Sequence, residues 1–349
     1  MLAAPAVTSD PYGLGRVVGE PGVLPQRAGT LDPSLPIRHS EMLIDVESLN
    51  VDAASFKQIR ESCGGAAEAV VARIQEIVRA RGKMQNPVTG SGGMLLGRVR
   101  EVGPEHPAQG KVRPGERIAT LVSLSLTPLV IDEVRSVRME VDRVDVRGHA
   151  ILFASGIWAR VPDDLPETLV LAALDVCGAP ALVARHARPG MRIAVLGAGK
   201  SGALCLAQAR KSSGGRGQLL ALDISEKALA ALAELGVSEV SLRVDATRAV
   251  EVLEAVRKAT GGALCDLVIN CASVPGTEMA TILSTREGGT AIFFSMATSF
   301  TAAALGAEGV GRDLTMLIGN GYVPGHADLT LDLLRTDIRL REFFAARYL

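Results

Sequence analysis

The stretch that decides the fold is residues 192–209, which read RIAVLGAGKSGALCLAQA. A short apolar run, Arg192–Leu196, leads directly into a glycine-rich segment, and an apolar helical pattern follows over Ala203–Ala209. A strand, a GxGxxG turn and a helix in this order form the fingerprint of a dinucleotide-binding unit. The pattern therefore predicts an α/β fold built on a doubly wound parallel sheet of the Rossmann type.

Each glycine of this fingerprint has its own physical role. Gly197 permits the tight turn, Gly199 leaves room for a pyrophosphate beside the backbone, and Gly202 allows the helix to pack closely on the strand. Lys200 and Ser201 complete the turn, where free N–H groups at a helix N-terminus would meet the phosphates. We expect all five residues to bind the cofactor. A P-loop would need the GxxxxGK[ST] spacing, which the segment lacks.

The identity of the cofactor depends on Asp223, which ends the next apolar run about 20 residues beyond the turn, as the fingerprint requires. A carboxylate there accepts hydrogen bonds from a ribose diol and repels a 2′-phosphate, so the sequence predicts NAD rather than NADP. The alternative is a glycine turn followed by an ordinary surface aspartate. Residues that follow two later strands are candidates for lining the nicotinamide side of the cofactor site: Asn270, Cys271, Ala272, Ser295 and Met296. The alternative is that they are loop residues without a role.

Composition and charge narrow the class of protein. The 349 residues carry a formal net charge of −1 and no basic run, which disfavours nucleic acid and anionic membranes as partners. The five cysteines show no CxxC spacing, as expected for reduced thiols. We find neither a basic-then-apolar leader nor the roughly 18 unbroken apolar residues of a membrane span. We therefore expect a soluble, cytoplasmic protein without a targeting signal.

Changes of pattern along the chain predict two domains. Residues 1–160 form a β-rich domain that begins with an irregular Pro- and Gly-rich arm, residues 1–40; residues 161–319 form the nucleotide-binding domain; and residues 320–349 return to the first domain. The predicted parallel strands are Arg192–Leu196, Gln218–Leu222, Glu239–Arg243, Leu267–Asn270, Thr290–Ser295 and Thr315–Gly319. Other predicted elements are a strand from Met42 to Val51 and helices at Ala67–Arg81, Glu167–His186 and Ala327–Arg335.

The order of the domains, the stretch Arg188–Gly199 and the closing Gly319-Asn320-Gly321 resemble the medium-chain dehydrogenase/reductase superfamily. This resemblance implies a GroES-like first domain and a homo-oligomer, either a dimer or a tetramer. The chain departs from the zinc-dependent members, because Gly90-Ser91-Gly92-Gly93 stands where they carry Gly-His-Glu and the cysteine-rich lobe is missing. Since a zinc site needs about three or four converging ligands, we predict no metal.

Two further blocks, residues 49–59 (LNVDAASFKQI) and 83–97 (KMQNPVTGSGGMLLG), resemble the L-erythro-3,5-diaminohexanoate dehydrogenase family. This resemblance implies a small diamino acid as substrate. It also implies a reaction of lysine degradation, in which 3,5-diaminohexanoate, NAD and water give 5-amino-3-oxohexanoate, ammonia and NADH.

Such a substrate calls for carboxylates that bind ammonium groups or act as a base, and for hydroxyl and amide donors. Asp175, in the linking helix ahead of Cys177-Gly178, is the candidate base or ammonium ligand, with a capping or solvated aspartate as the alternative. Candidates from the first domain, for which ordinary turn chemistry is the alternative, are Asn50, Asp52, Ser55, Asn86, Thr89 and Ser91. Cys177 is interpreted as a packed thiol, because hydride transfer needs no nucleophile.

Two other functions fit parts of this pattern. A zinc-independent quinone or enone reductase of the same superfamily would share the architecture, but Asp223 argues against it because those members often use NADPH. A non-catalytic protein that binds NAD would keep the fold without the chemistry, since fold alone does not establish function.

Overall fold

A computed structural model describes residues 10–319 and 321–348. Contacts between Cα atoms divide the chain between Val161 and Pro162 into two units, one residue from the boundary expected at 160/161. The first nine residues of the expected N-terminal arm lie outside the described residues, as do Asn320 and Leu349.

The first unit contains a six-stranded antiparallel sheet in the order β4-β5-β1-β2-β3-β6. Its strands are β1 (Glu41–Asn50), β2 (Met94–Val102), β3 (Arg117–Thr120), β4 (Leu129–Arg138), β5 (Arg143–Phe153) and β6 (Trp158–Arg160), and its helices are α1 (Ala53–Ser62) and α2 (Ala67–Arg81). Ile44, Phe56 and Ile74 are fully buried and join sheet and helices in one apolar core. The β-rich first domain and the bounds of α2 agree with the sequence-based expectation.

Residues 10–40 form a largely irregular segment on this unit, and a buried ion pair holds the segment in place. Arg16 and Glu41 are each only 2% exposed, and the guanidinium donates to both carboxylate oxygens at 2.9 and 2.7 Å. Arg16 also donates to the carbonyls of Ser34 and Pro36. Because a buried charge is stable only when it is paired and hydrogen-bonded, this pair fixes the arm.

The second unit is built on a six-stranded parallel sheet in the order β12-β11-β10-β7-β8-β9. Its strands are β7 (Arg192–Leu196), β8 (Gln218–Asp223), β9 (Val240–Arg243), β10 (Cys265–Asn270), β11 (Thr285–Phe293) and β12 (Thr315–Ile318). Its helices are α3 (Glu167–Leu174), α4 (Gly178–His186), α5 (Lys200–Ser213), α6 (Glu226–Leu235), α7 (Ala249–Ala259), α8 (Glu278–Ser284), α9 (Phe300–Gly309), α10 (His326–Thr336) and α11 (Ile338–Tyr348).

The chain winds outward from β7 to β9 and then returns to the other side of β7 with β10. The order of the strands therefore reverses between β7 and β10, and the carboxyl ends of these strands form the crevice where open α/β sheets bind ligands. All six predicted parallel strands are present. The expected doubly wound Rossmann sheet is the framework of this unit.

The linking helix differs from its prediction. The sequence pattern predicts one helix over Glu167–His186, but α3 ends at Leu174 and α4 begins at Gly178, with an angle of 57° between them. Pro180 explains the break: it lacks an N–H, and its ring would clash with the carbonyl of Val176 in a continuous helix. In the described residues no single helix is long and apolar enough to cross a membrane. There, only α3 and α4 counted together, across their bend, reach the length and apolar composition of a membrane span.

The C-terminal segment also differs from its prediction. Residues 320–349 were expected to return to the first domain, whereas contacts assign them to the second unit. There α10 packs on α3 and α4, and α11 packs on α3, α5 and α6. The physical reason is the apolar face of these two helices, since Leu334, Leu340 and Phe344 are fully buried against that unit. Arg335 adds an ion pair with Asp164 at 2.8 Å.

Candidate functional site

The glycine turn between β7 and α5 has the geometry of a phosphate cradle. Gly197 has φ +99°, a conformation that side chains rarely adopt. A Cβ on Gly202 would lie 1.9 Å from the carbonyl oxygen of Gly197, so only glycine allows this approach. A Cβ on Gly199, in contrast, would meet no atom within 4 Å. The open side of the turn at Gly199 therefore has the space that a pyrophosphate needs.

The start of α5 supplies the donors for such a ligand. Gly199 is the N-cap, and the first helical hydrogen bond runs from Ala203 N–H to the Gly199 carbonyl at 3.0 Å. The amides of Lys200, Ser201 and Gly202 thus precede the hydrogen-bonded part of the helix, where N–H groups and the helix dipole favour an anion.

Asp223 lies at the end of β8 beside this turn. Its Oδ2 accepts a hydrogen bond from the Ala198 N–H, and its Oδ1 accepts one from the Ser225 N–H, both at 2.7 Å. The carboxylate therefore orders the turn from the end of β8. Each carboxylate oxygen has a second lone pair, so these two bonds leave acceptor capacity for hydroxyl groups.

The candidates on the nicotinamide side take different positions. The Asn270 side chain is fully buried: its amide donates to Thr277 and Thr281, and its Oδ1 accepts from Ala272 N–H at 3.1 Å. It thus orders the loop from inside rather than presenting its amide to a ligand. Cys271 and Ala272 pack against Gly197, whose Cβ would lie 2.9 to 3.0 Å from their backbone atoms.

Two further candidates lie after β11. The Ser295 N–H donates to the Asn270 carbonyl at 3.1 Å, which ties the end of β11 to the end of β10. Met296 is 95% exposed. Its side chain contributes nothing to the packing of the sheet edge.

An unanticipated ion pair joins two of the predicted residues. The Lys200 ammonium, at the first position of α5, donates to Oδ2 of Asp175, which is the C-cap of α3. Both side chains are partly exposed, at 31% and 50%. The sequence separates these residues by 25 positions, so local pattern offers no signal for this contact. The structure therefore places Asp175 at the glycine turn.

In the first unit the polar candidates gather around one loop. Asp52 is the N-cap of α1, with Oδ1 accepting from the Ser55 N–H at 3.0 Å. The Ser55 and Thr89 hydroxyls are hydrogen-bonded to each other, and the Asn86 N–H donates to the Ser91 carbonyl at 2.8 Å. These contacts bring five of the candidates together, and with Asn50, two residues before Asp52, we call them the Asp52–Ser91 cluster; its members are Asn50, Asp52, Ser55, Asn86, Thr89 and Ser91.

The members of this cluster differ in what they offer a ligand. Ser55 and Asn86 are buried, and the Asn86 amide donates to Gln58 Oε1 at 2.8 Å, so both hold the loop together. Asn50, Asp52 and Ser91 are partly exposed and Thr89 is exposed. Asp52 Oδ2 is buried yet accepts no hydrogen bond from any residue that the structure describes. A buried carboxylate oxygen without a donor is a place for a cationic or hydrogen-bonding ligand.

Sequence reasoning missed Gln58 and the buried Lys83, which also belong to the two family-like blocks. Lys83 is fully buried and its ammonium donates to the Pro25 carbonyl at 2.7 Å. Burial lowers the pKa of Lys83 to about 8. In the sequence, Lys83 is marked only by its position inside an otherwise buried run. In the structure, its hydrogen bond to Pro25 holds the N-terminal arm on the first unit.

Cys177, two residues beyond Asp175, is a packed thiol. Burial raises the pKa of the Cys177 thiol to about 12, which leaves it protonated and poorly nucleophilic at neutral pH. Within residues 10–319 and 321–348, no three side chains of His, Cys, Asp or Glu converge as metal ligands would.

This architecture defines a class of protein. Zinc dependent alcohol dehydrogenase 2 from Streptococcus pneumoniae has the same fold, with a TM-score of 0.53 and 14% identity over 90% of this chain and 84% of that chain. A quinone oxidoreductase from Pseudomonas syringae has a TM-score of 0.55 and 15% identity, covering 90% of this chain and 91% of that chain. The fold is therefore the one found in these two oxidoreductases, a Rossmann unit together with a β-rich GroES-like unit, as predicted.

Sequence similarity then identifies the family. The sequence profile of the L-erythro-3,5-diaminohexanoate dehydrogenase N-terminal domain matches residues 15–162. L-erythro-3,5-diaminohexanoate dehydrogenase of Acetoanaerobium sticklandii is 50% identical over 339 residues, which are 97% of this chain and 98% of the relative. The Fusobacterium nucleatum enzyme of that name is 51% identical over 339 residues, with the same shares. The chain belongs to the L-erythro-3,5-diaminohexanoate dehydrogenase family, which confirms the predicted family and oxidoreductase class.

Proposed function

We propose that the chain catalyses the NAD-dependent oxidative deamination of L-erythro-3,5-diaminohexanoate, giving 5-amino-3-oxohexanoate, ammonia and NADH, as a step of lysine degradation. The observation that carries the proposal is the 50% identity with a dehydrogenase of this name over 97% of the chain. The cradle at Gly199 and the donors at the start of α5 support a dinucleotide as cofactor.

NAD rather than NADP is the cofactor that Asp223 favours. Its carboxylate occupies the ribose-recognition position at the end of β8, and a 2′-phosphate there would meet a negative charge. When bound, NAD supplies the hydride acceptor for this reaction, and the protein supplies orientation and electrostatics.

Asp175 is the proposed ligand or base for a substrate amine. Its carboxylate contacts the Lys200 ammonium, and an alkylammonium is also the group that the diamino acid carries twice. A substrate amine can therefore replace Lys200 at Asp175, and Lys200 is then free to bind a phosphate at the start of α5. The amine must lose its proton before the carbon that bears it can release a hydride, which is a task for a carboxylate in contact with it.

The Asp52–Ser91 cluster is the proposed source of further substrate contacts. Asp52 Oδ2 is a buried acceptor without a donor and suits an ammonium group. Thr89 is exposed and Ser91 is partly exposed, and the loop that carries them has the hydroxyl groups that suit a substrate carboxylate. Water then attacks the iminium carbon, and ammonia leaves as the ketone forms.

Absorbance of NADH tests the proposed reaction. The purified protein is mixed with NAD and, in separate reactions, with L-erythro-3,5-diaminohexanoate, its threo isomer and simple 2-amino acids; quinones with NADH or NADPH form a further series. We expect turnover with the first substrate alone, together with one ammonia released per NADH formed. Turnover only with quinones would instead establish a quinone reductase, and NADH binding without any turnover would establish a non-catalytic NAD-binding protein.

Three further properties belong to this proposal. The enzyme works without zinc, so elemental analysis of active protein should find less than one metal ion per ten chains. It is cytoplasmic. It is also a homo-oligomer, a dimer or tetramer, which the exposed apolar side chain of Ile318 in the outer strand β12 supports, since it is 59% exposed. Light scattering at micromolar concentration measures this state directly.

A further inference from the structure

Two cysteines meet behind the glycine turn. Cys205, in α5, and Cys271, directly after β10, have their sulfur atoms 3.9 Å apart. Cys205 is fully buried, whereas Cys271 is partly exposed. Neither thiol has a part in the hydride transfer described above. The pair thus combines a partly exposed cysteine with a buried one, and their sulfur atoms are close to van der Waals contact.

From this geometry we infer that Cys271 and Cys205 form a reversible disulfide that weakens cofactor binding, with a hydroperoxide as the oxidant. This inference rests on the proposed function only in so far as the glycine turn binds NAD. The formation of the disulfide itself does not depend on that function.

The chemistry needs two steps. The Cys271 sulfur attacks a peroxide oxygen; an S–O bond forms, the O–O bond breaks, and the leaving oxygen takes a proton to give water or an alcohol. The Cys205 sulfur then attacks the sulfenic sulfur; the S–S bond forms, the S–O bond breaks, and hydroxide leaves with the Cys205 proton as water. Two thiols lose two electrons, and the hydroperoxide gains them. A dithiol reverses the change by thiol–disulfide exchange.

Burial assigns the roles of the two thiols. Burial strongly raises the pKa of Cys205, so this thiol stays protonated and does not react first with a solute. Once Cys271 carries the sulfenic oxygen, Cys205 is the sulfur next to it and resolves the intermediate. The remaining cysteines of the second unit, Cys177 and Cys265, are buried.

The consequence for the cofactor follows from the packing of the turn. A disulfide needs an S–S distance of about 2.05 Å, so the two sulfurs must approach by about 1.9 Å. Cys205 lies between fully buried neighbours in α5, so the loop at Cys271 is the part that moves. That loop is bound to β7 through Cys271 N–H and the Leu196 carbonyl at 2.8 Å, and it packs on Gly197. Its movement therefore displaces the turn that receives the pyrophosphate.

Mass spectrometry and NADH binding test this inference together. The full-length protein is treated with hydrogen peroxide, digested without reduction, and searched for a peptide pair joining Cys205 to Cys271. NADH fluorescence titration of the same sample should give a Kd at least tenfold higher than that of the reduced protein, and dithiothreitol should restore it. Cys63→Ala, which removes a partly exposed thiol of the first unit, is the matched control and should respond as the wild type does.

Cys205→Ala isolates the resolving step. In this variant oxidised Cys271 should persist as a sulfenic acid that dimedone labels, whereas the wild type should be labelled far less. If the alanine variant melts at a much lower temperature, Cys205→Ser, which keeps the size of the side chain, replaces it. Over-oxidation of Cys271 in the wild type without a cross-link, or a cross-link with unchanged NADH affinity, would overturn the inference. Failure of the reduced protein to bind NADH would instead overturn the proposed cofactor site.

Discussion

Two glycines of the same turn should respond to alanine in opposite ways. A Cβ on Gly202 would lie 1.9 Å from the Gly197 oxygen, far inside the 3.4 Å at which ordinary van der Waals contact begins. Overpacking of this kind costs about 1–3 kcal/mol, and the gain in helix propensity offsets at most about 1 kcal/mol of it. Gly202→Ala should therefore destabilise the second unit. A domain of this size loses about 2–4 °C of melting temperature per kcal/mol.

Gly199→Ala should leave the fold intact and weaken the binding of the cofactor. Its Cβ meets no protein atom within 4 Å and its φ of −77° suits any residue, so the fold loses at most about 1 kcal/mol of N-cap preference. The new methyl group does occupy the space proposed for the pyrophosphate. A clash of about 1.4–2.8 kcal/mol there raises the Kd for NADH about 10- to 100-fold.

The assay compares melting temperature with NADH affinity for both variants. Gly309→Ala is the matched control. Its Cβ also meets no atom within 4 Å, and the residue is at the end of α9 rather than in the glycine turn. We expect unchanged NADH affinity in this control. Gly199→Ala with the wild-type Kd would refute the placement of the pyrophosphate, and Gly202→Ala with an unchanged melting temperature would refute the packing argument.

Three other predictions concern charged side chains. Asp223→Ser should weaken the binding of NADH and bring the ratio of the NADH and NADPH dissociation constants closer to one. An unchanged ratio would contradict the proposed ribose contact. Asp175→Asn should lower kcat at least tenfold while the Kd for NADH changes less than threefold, and equal kcat would remove Asp175 from the mechanism. Arg16→Met should cost about 3–5 kcal/mol of unfolding free energy, because it leaves the Glu41 carboxylate buried without its partner. Denaturant unfolding measures this loss, and Arg16→Met combined with Glu41→Gln should recover part of it.

Much of the second unit could be predicted because its signals are local. Each parallel strand is a short apolar run, and the GxGxxG turn requires neighbours only a few residues away. Elements with mixed burial were harder to predict. β4 is mostly exposed and has no clean alternation, and α1 follows β1 after two residues, with Asp52 as its cap. The break at Pro180 does have a local signal, which the apolar pattern over 167–186 concealed.

The sequence by itself determined the strand–turn–helix fingerprint, the two-unit organisation and the family, because periodicity and motif spacing are properties of consecutive residues. Only the tertiary structure decided which distant groups meet. It placed Asp175 against Lys200, Arg16 against Glu41 and Cys205 beside Cys271, and it packed the C-terminal helices on the second unit. The physical reason is that such pairs depend on how whole elements pack, which no local stretch of sequence records.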